Sequence, residues 1–270
     1  MKLHVITGLP RAGSTLLCNV LNQNPSFWAT STSSVTGMVS SISNFWSNSI
    51  EVKNLLEKEK DNTEKSMVNS MRAFVNEWHK RDDNRDIIFD KSRGWTHHFL
   101  LLRKLYPSSK IIVTVRDLRA IFASIEKQHR KNPLVDISGE GAAKGIFQNA
   151  DVMFSPNGMI GHCIEGIMDL TRRKPEGVIY VSYEAFSQNP GAVMERIYDS
   201  LGEASYSHDF NNVVNTAIDC DGHYLNKYPH KGEGKIEPCN LNEWKEYLSP
   251  DLAQTIMNRF SAYNQLFGYV

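Results

Sequence analysis

A glycine-bearing segment near the start of the chain has the residue types of an anion-binding loop. Residues 8–15 read Gly-Leu-Pro-Arg-Ala-Gly-Ser-Thr and lie between an apolar run typical of a strand and a segment with the apolar spacing of a helix. In such a loop, backbone N–H groups and the positive end of the helix can surround an anionic group. The nucleoside triphosphate pattern requires lysine directly after the second glycine, where this chain has Ser14, and the cation is instead Arg11.

The position of Arg11 indicates a shorter target than a triphosphate. A guanidinium at this place can donate two hydrogen bonds to the bridging and terminal oxygens of a single anhydride. A phosphosulfate is such a target. Taken alone, the loop indicates only a phosphate, and the alternative is a glycine turn that packs a helix against a strand while Arg11 is solvated.

A second cluster of hydrogen-bond donors follows a β-branched run at residues 110–115. Arg116 comes directly after this predicted strand, and Ser124 lies eight residues later in the predicted next helix. A chain that reverses from strand to helix brings the two side chains towards one point, where both can donate to a phosphate. The alternative is a surface pair between Arg116 and Asp117. Together with the first loop, the cluster predicts two separated anion sites.

The order of elements predicts an α/β fold with a central parallel sheet flanked by helices, because strands separated by helices pair in parallel through right-handed crossovers. Serine and threonine fill twelve of the positions from 26 to 49, yet the apolar residues there fall on one helical face, which favours a helix. Residues 132–161 are the least defined, and residues 205–243 give no regular spacing. The strands are predicted at residues 3–7, 87–89, 110–115 and 178–181, and the helices at 14–21, within 26–49, around 67–78, and at 96–106, 118–128, 159–173, 190–201 and from 249 onward.

Composition excludes several classes of protein. Lys and Arg number 30, as do Asp and Glu, so the broad basic surface of a duplex nucleic-acid binder is not expected. The four cysteines make no CxxC pair, and residues 219–223 offer possible metal ligands without a recognisable spacing, so no disulfide framework and no metal are expected. No break in composition is visible, so we expect a single domain over residues 1–270. Because no export signal or membrane span is visible either, we expect the protein in the cytoplasm.

The chain resembles the sulfotransferases that use 3′-phosphoadenosine 5′-phosphosulfate (PAPS). GLPRAGSTLL, followed about a hundred residues later by VTVRDLRAIFAS, resembles their 5′-phosphosulfate loop and 3′-phosphate motif, and VIYVSYEAFSQNP extends the likeness to about Gly202. The loop arginine and the stretch FDKSRGWTHHFLLLRKLYPSSKIIVTVRD are closer to the tyrosylprotein and carbohydrate branches than to the cytosolic small-molecule enzymes. The resemblance implies a P-loop NTPase-like sulfotransferase fold and in-line transfer of a sulfuryl group to an acceptor hydroxyl. The implied product nucleotide is adenosine 3′,5′-bisphosphate (PAP).

The resemblance also assigns residues. Lys91 matches a lysine near the transferred group, and Tyr183 is expected near the nucleotide. Arg11 and Lys91 are the cations expected to stabilise the negative charge that builds on the bridging oxygen of the leaving nucleotide. A late segment around residues 228–232 is similar to one that closes over the cofactor, with Lys231 and Gly232 as its nucleotide contacts. The implied 5′ contacts are Arg11, Ala12, Gly13, Ser14 and Thr15, and the implied 3′-phosphate contacts are Arg116 and Ser124.

The general base is where the sequence departs from the family pattern. The tyrosylprotein enzymes place a glutamate after the first helix, but residues 30–34 hold only serine and threonine; the cytosolic enzymes use a histidine where Arg93 stands. A base within hydrogen-bond reach of the acceptor is still required. The candidates are Asp90, His97 and His98, for each of which a structural role, such as Asp90 capping the next helix, is the alternative.

Two other functions fit parts of the pattern. A P-loop kinase shares the opening strand, loop and helix, although the loop lysine is missing. A non-catalytic nucleotide-binding protein fits the absence of the expected base. The acceptor stays open among a sugar, a tyrosine or peptide, a lipid headgroup and a small alcohol, and the sequence does not indicate an oligomeric state.

Overall fold

The protein is described from a computed structural model, in which residues 1–81, 83, 85–131, 145–216 and 232–269 are described. Its centre is a five-stranded sheet in the order β2-β3-β1-β4-β5, with every pair parallel. The predicted central parallel sheet is therefore confirmed. The strands are β1 (Lys2–Gly8), β2 (Phe27–Ala29), β3 (Ile87–Lys91), β4 (Ile111–Val115) and β5 (Val178–Ser182).

Helices connect the strands and cover both faces of the sheet, as right-handed crossovers between parallel strands require. Two short turns of 3₁₀ helix, at Arg93–Thr96 and Glu243–Glu246, lie between them. The helices are α1 (Ser14–Leu21), α2 (Val35–Asn48), α3 (Ile50–Lys58), α4 (Lys60–Trp78), α5 (Phe99–Leu105), α6 (Leu118–Lys131), α7 (Ile146–Phe154), α8 (Gly161–Arg173), α9 (Tyr183–Gln188), α10 (Pro190–Leu201), α11 (Pro250–Arg259) and α12 (Ser261–Phe267).

Alternation along β1 divides the apolar core into two layers. Val5 packs in one layer with the apolar face of α6, and Ile6 packs in the other with α1 and α10. Because successive side chains of a strand point to opposite faces, a continuous apolar run is what a sheet covered on both sides requires. The core thus fixes α1 and α6 on opposite faces of the sheet, each starting at the carboxyl end of a neighbouring strand.

Several predicted boundaries differ from the structure. The expected helix at 96–106 is a 3₁₀ turn followed by α5, and the expected last helix is broken into α11 and α12 at Phe260. The strand β2, with three residues, is too short to show a period, and α3 has no buried residue that would mark an apolar face. Within the described ranges, no helix combines the length and apolarity needed to cross a bilayer.

Candidate nucleotide-binding site

The two predicted anion clusters lie at the same edge of the sheet. β1 runs between β3 and β4, with Ile6 opposite Lys91 and Gly8 opposite Thr114. Neighbouring strands are about 4.8 Å apart, so the loop after β1, Lys91 and the residues after β4 come together at the carboxyl ends of three adjacent strands. In open α/β sheets, this edge is where ligands bind.

Two glycines shape the loop that follows β1. Gly8 has φ 125°, and a Cβ there would lie 2.2 Å from the carbonyl oxygen of Thr114, so only glycine allows β1 and β4 to approach this closely. Gly13 has φ 76° and directly precedes α1, which begins at Ser14. Since Gly13 has no side chain to cap the helix, the first-turn N–H groups of α1 face the loop as potential donors to an anion.

The side chain of Arg11 reaches the second cluster. Its Nε donates to Ser124 Oγ at 3.2 Å, and its own carbonyl oxygen accepts from Arg116 Nη1 at 2.7 Å. Arg11 holds a left-handed backbone with φ 58°, which costs a non-glycine residue about 1 kcal/mol. We expected Arg11 and Ser124 to serve opposite ends of the nucleotide; their contact instead makes the two clusters one continuous surface. Ala12, also assigned to this loop, is buried at 3% exposure and offers its backbone.

Lys91 joins the end of β3 to the start of α1. Its Nζ donates to Thr15 Oγ1 at 2.9 Å, and its backbone N–H donates to Thr30 Oγ1 at 2.9 Å. The ammonium therefore lies beside the amino-terminal turn of α1, where the helix dipole and the loop N–H groups also favour negative charge. Lys91 thus adds a cation, held on Thr15, to the backbone donors of the loop.

Arg116 and Tyr183 form the wall of the site over β4 and β5. The Arg116 Cζ lies 4.3 Å from the centre of the Tyr183 ring, and a Cβ on Gly13 would come within 2.5 Å of the same ring. Burial raises the pKa of Tyr183 above its usual value although Arg116 opposes the shift, so the phenol stays neutral. The guanidinium thus lies between the Tyr183 ring and the loop after β1, where it donates to the Arg11 carbonyl.

One donor of Arg116 is left over in this arrangement. Among the described residues, none accepts a hydrogen bond from the buried Arg116 Nε. A buried donor without an acceptor costs roughly 1 to 3 kcal/mol, more when it carries charge, so such a group marks a place where a ligand oxygen is expected. An anion held between Arg116 and Ser124 would satisfy it.

Asn19 ties the late part of the chain to α1, and sequence reasoning missed it. Its Nδ2 donates to the carbonyl oxygen of Gly232 at 2.7 Å and its Oδ1 accepts from the N–H of Thr216 at 3.2 Å. A Cβ on Gly232 would approach Thr15 to 3.2 Å, so this glycine lies against the phosphate loop helix. The signal in the sequence was a single polar residue inside an otherwise apolar run, and the structure shows it buried on α1. Lys231 and residues 219–223 lie outside the described part of the chain.

Asp90 is buried in the core beside the site. Its carboxylate is 0% exposed and accepts from Trp95 Nε1 at 2.5 Å and from the hydroxyl of Ser33, and it pairs with His79 Nε2 at 2.9 Å. The expected capping role belongs to Ser92, whose hydroxyl accepts from the N–H of Gly94. With both oxygens engaged and no exposed surface, this carboxylate is placed to fix the end of β3 rather than to reach an acceptor.

His97 and His98 lie on the turn that follows β3. The His97 ring stacks on that of His162 with centres 3.9 Å apart, and its Nε2 is 3.1 Å from the His162 carbonyl oxygen. Burial lowers the pKa of His97, helped by the nearby His162, and burial alone lowers that of His98. Both imidazoles are therefore neutral near pH 7 and able to accept a proton. The turn is tied to β1 by Thr7 Oγ1, which donates to the carbonyl oxygen of Arg93 at 3.2 Å.

The described residues hold no group of three or more histidine, cysteine or carboxylate side chains arranged to bind a metal ion. Three basic side chains carry positive charge at the site. Arg11, Lys91 and Arg116 supply it, and hydroxyls of Thr15 and Ser124 lie within hydrogen-bond distance of the first two.

Comparison with known proteins places this chain in a family. Residues 5–207, about three quarters of the chain, match the sulfotransferase family, and this range runs from within β1 to beyond the end of α10. A comparison with curated proteins found no match.

Solved structures share the fold. The sulfotransferase domain of the olefin synthase from Synechococcus PCC 7002 has a TM-score of 0.55 and 18% identity, over 94% of each chain. The sulfotransferase domain from the curacin biosynthetic pathway has a TM-score of 0.54 and 16% identity, over 96% of this chain and 97% of its own. Mouse sulfotransferase SULT7A1, complexed with PAP, has a TM-score of 0.52 and 12% identity, over 100% of this chain and 89% of its own. With the family match over most of its length, this chain belongs to the sulfotransferase family.

Proposed function

We propose that the protein is a PAPS-dependent sulfotransferase, built as one domain over residues 1–270, that transfers a sulfuryl group to an acceptor hydroxyl. The observation that carries this proposal is the contact between the two donor clusters, in which Arg116 holds the carbonyl of Arg11 and Arg11 holds Ser124. A single continuous surface with two anion-binding ends fits a nucleotide that carries phosphate groups at both the 3′ and 5′ positions.

At the 3′ end, the unpartnered Nε of Arg116 supports a phosphate contact. A guanidinium that donates to a phosphate oxygen forms a charge-assisted hydrogen bond about twice as strong as a neutral one. The Ser124 hydroxyl, which accepts from Arg11 Nε, keeps its own hydrogen as a further donor. Two of the solved structures that this chain resembles, SULT7A1 and retinol dehydratase, are complexes with PAP.

At the 5′ end, Gly13, Ser14 and Thr15 would hold the phosphosulfate through the start of α1. The bound PAPS would supply an activated sulfuryl group. When that group is transferred, negative charge builds on the bridging oxygen, which stays with the leaving nucleotide. Lys91, held on Thr15, is the cation placed to stabilise that charge. Because this ammonium is preorganised by β3 and its hydrogen bond, little rearrangement is needed when the charge develops.

The strand order leaves one side for the acceptor. The nucleotide contacts lie over β1, β4 and β5, so the acceptor would approach over β3 and β2, on the other side of Lys91. There the chain presents residues 30–34, which hold only hydroxyl side chains, and Thr30 contacts the backbone of Lys91. This wall favours a hydroxylated acceptor such as a sugar, a tyrosine or a small alcohol, with neutral His97 or His98 as the proposed proton acceptor.

A second candidate is a nucleotide-binding protein of the same family that does not transfer sulfate. The observation that favours it is the burial of Asp90 and the engagement of His97 with His162. The family match leaves the kinase alternative without support.

The test is transfer of labelled sulfate from PAPS to a panel of sugar, peptide and small-alcohol acceptors. We expect turnover by the wild-type protein and a loss of about 100- to 1000-fold in kcat for Lys91→Ala, the usual effect of removing a preorganised donor. Lys104→Ala is the matched control, since this exposed lysine lies in α5, before the amino end of β4, and pairs with Glu64. Tight PAP binding without transfer to any acceptor would favour the second candidate.

A further inference from the structure

The last helix reaches the main chain of Arg116. β4 ends at Val115, so the N–H and C=O of Arg116 lie beyond the ladder that β4 makes with its neighbours. The hydroxyl of Tyr263, from α12, serves both groups: it accepts from the N–H at 3.3 Å and donates to the C=O at 3.0 Å. Tyr263 is 1% exposed. One side chain thus satisfies both backbone groups of the residue proposed to bind the 3′-phosphate.

A second tyrosine, just after α12, holds the neighbouring strand end. Tyr269 donates its hydroxyl hydrogen to Glu184 Oε2 at 2.9 Å, while Glu184 Oε1 accepts from the N–H of Asp117 at 3.0 Å. The rings of Tyr263 and Tyr269 stack with centres 6.0 Å apart and 15° between their planes. The two tyrosines therefore fix the main chain at residues 116–117 and the residue that follows Tyr183. We call this pair the tyrosine clamp.

We propose that the tyrosine clamp, Tyr263 and Tyr269, positions Arg116 for the 3′-phosphate and so determines the preference for a bisphosphorylated nucleotide. The inference rests on the proposed function. Neither tyrosine contacts the nucleotide in this proposal; both are positioning residues that act through Arg116.

The geometry explains why Arg116 needs such support. Its guanidinium already donates to the Arg11 carbonyl at 2.7 Å and lies 4.3 Å over Tyr183, and its Nε must still meet a phosphate oxygen. Hydrogen bonds weaken steeply with angle and distance, so one main-chain position must satisfy all three contacts. The side chain alone cannot compensate for a displaced backbone without losing one of them.

The charge state of the clamp suits this role. Burial raises the pKa of Tyr263 well above its usual value and also raises that of Tyr269, where Glu184 adds to the shift. Both hydroxyls therefore keep their protons near neutral pH. The hydrogen bonds to Arg116 and Glu184 are therefore permanent parts of the site.

The test compares PAP with adenosine 5′-monophosphate (AMP), which lacks the 3′-phosphate, by isothermal titration. For Tyr263→Phe we expect PAP affinity to fall roughly tenfold, as the loss of an orienting hydrogen bond predicts, while AMP affinity stays within about twofold of wild type. In an Arg116→Ala background, Tyr263→Phe should have no further effect on PAP, because the clamp acts through that side chain.

Tyr198→Phe is the matched control. Tyr198 is also 1% exposed and its hydroxyl contacts Asn24 at 3.0 Å and His208 at 3.1 Å, away from the site. It should lower the midpoint of thermal unfolding as much as Tyr263→Phe does and leave both nucleotides bound as in wild type. Should Tyr263→Phe not fold, Tyr269→Phe carries the test, with a PAP loss of roughly threefold, AMP unchanged and no additivity with Arg116→Ala.

Three results would overturn the inference while leaving the proposed function intact: PAP affinity within twofold of wild type in the folded clamp variant, equal losses for PAP and AMP, or full additivity with Arg116→Ala. Failure of the wild-type protein to bind PAP is a different result. It would overturn the proposed function and this inference with it.

Discussion

Replacing Arg116 with alanine should separate the two ends of the nucleotide. The substitution removes the Nη1 hydrogen bond to the Arg11 carbonyl, the contact over the Tyr183 ring and the Nε donor reserved for the 3′-phosphate. The third interaction exists only when the ligand is bound, so its loss weakens PAP binding directly. The first two also exist in the free protein, so their loss loosens the loop around Arg11 for any nucleotide.

The magnitude follows from these contacts. A hydrogen bond to a charged group contributes about 1.5 to 3 kcal/mol, which corresponds to a loss of roughly 10- to 150-fold in PAP affinity. The looser loop should cost AMP binding only about threefold, as for a neutral hydrogen bond of about 0.5 to 1 kcal/mol. Isothermal titration of both nucleotides at constant salt measures the two losses, and their ratio isolates the 3′-phosphate.

The control is Arg130→Ala, in the last turn of α6, where an exposed arginine pairs with Glu126. It removes the same charge at a place away from the site and should change neither affinity by more than about twofold. The reasoning is refuted if Arg116→Ala loses less than threefold in PAP affinity, or if AMP and PAP affinities fall by the same factor.

Two further predictions concern the loop and the stability of the fold. Gly13→Ala places a Cβ 2.5 Å from the Tyr183 ring at φ 76°, so PAP affinity measured by titration should fall more than about tenfold. Gly37→Ala is the control, because a Cβ at this position within α2 meets open space. It should raise the free energy of unfolding by about 1 kcal/mol and leave PAP binding unchanged. Burial lowers the pKa of His4 from 6.5 to about 4, so the folded state binds fewer protons than the unfolded state between these values and the free energy of unfolding falls as the pH drops through this window. At pH 5 the free energy of unfolding should be about 2 kcal/mol lower than at pH 7.5 because of this one group. In urea unfolding, His4→Gln should therefore lose less stability than wild type between pH 7.5 and pH 5. An equal loss in both proteins would contradict the lowered pKa of His4.

The sheet and the turn between β1 and α1 were predictable because local signals agree there. The predicted helix that begins at Ser14 is α1, since the glycine-bearing loop and the apolar spacing after it indicate the same start. The contact between Arg11 and Ser124 was not predictable, because it depends on a left-handed backbone at Arg11 that no local pattern requires.

Other site features depend on partners far apart in the sequence. In the sequence, Asp90 is a candidate base, whereas in the structure its carboxylate is engaged by Ser33 and His79. The residues around position 90 in the chain give no indication of these two contacts. Tyr263 lies at an apolar helical position, which by itself indicates core packing. The packing is correct, but the use of its hydroxyl becomes visible only when α12 lies against the end of β4.

The most direct test of the account is a crystal structure of the protein with PAP. The account predicts one PAP molecule per chain, with its 3′-phosphate within hydrogen-bond distance of Arg116 Nε and Ser124 Oγ and its 5′-phosphate at the start of α1 beside Lys91. A PAP molecule that contacts Arg116 and the loop at residues 8–15 through a single phosphate, or that binds elsewhere on the protein, would contradict it.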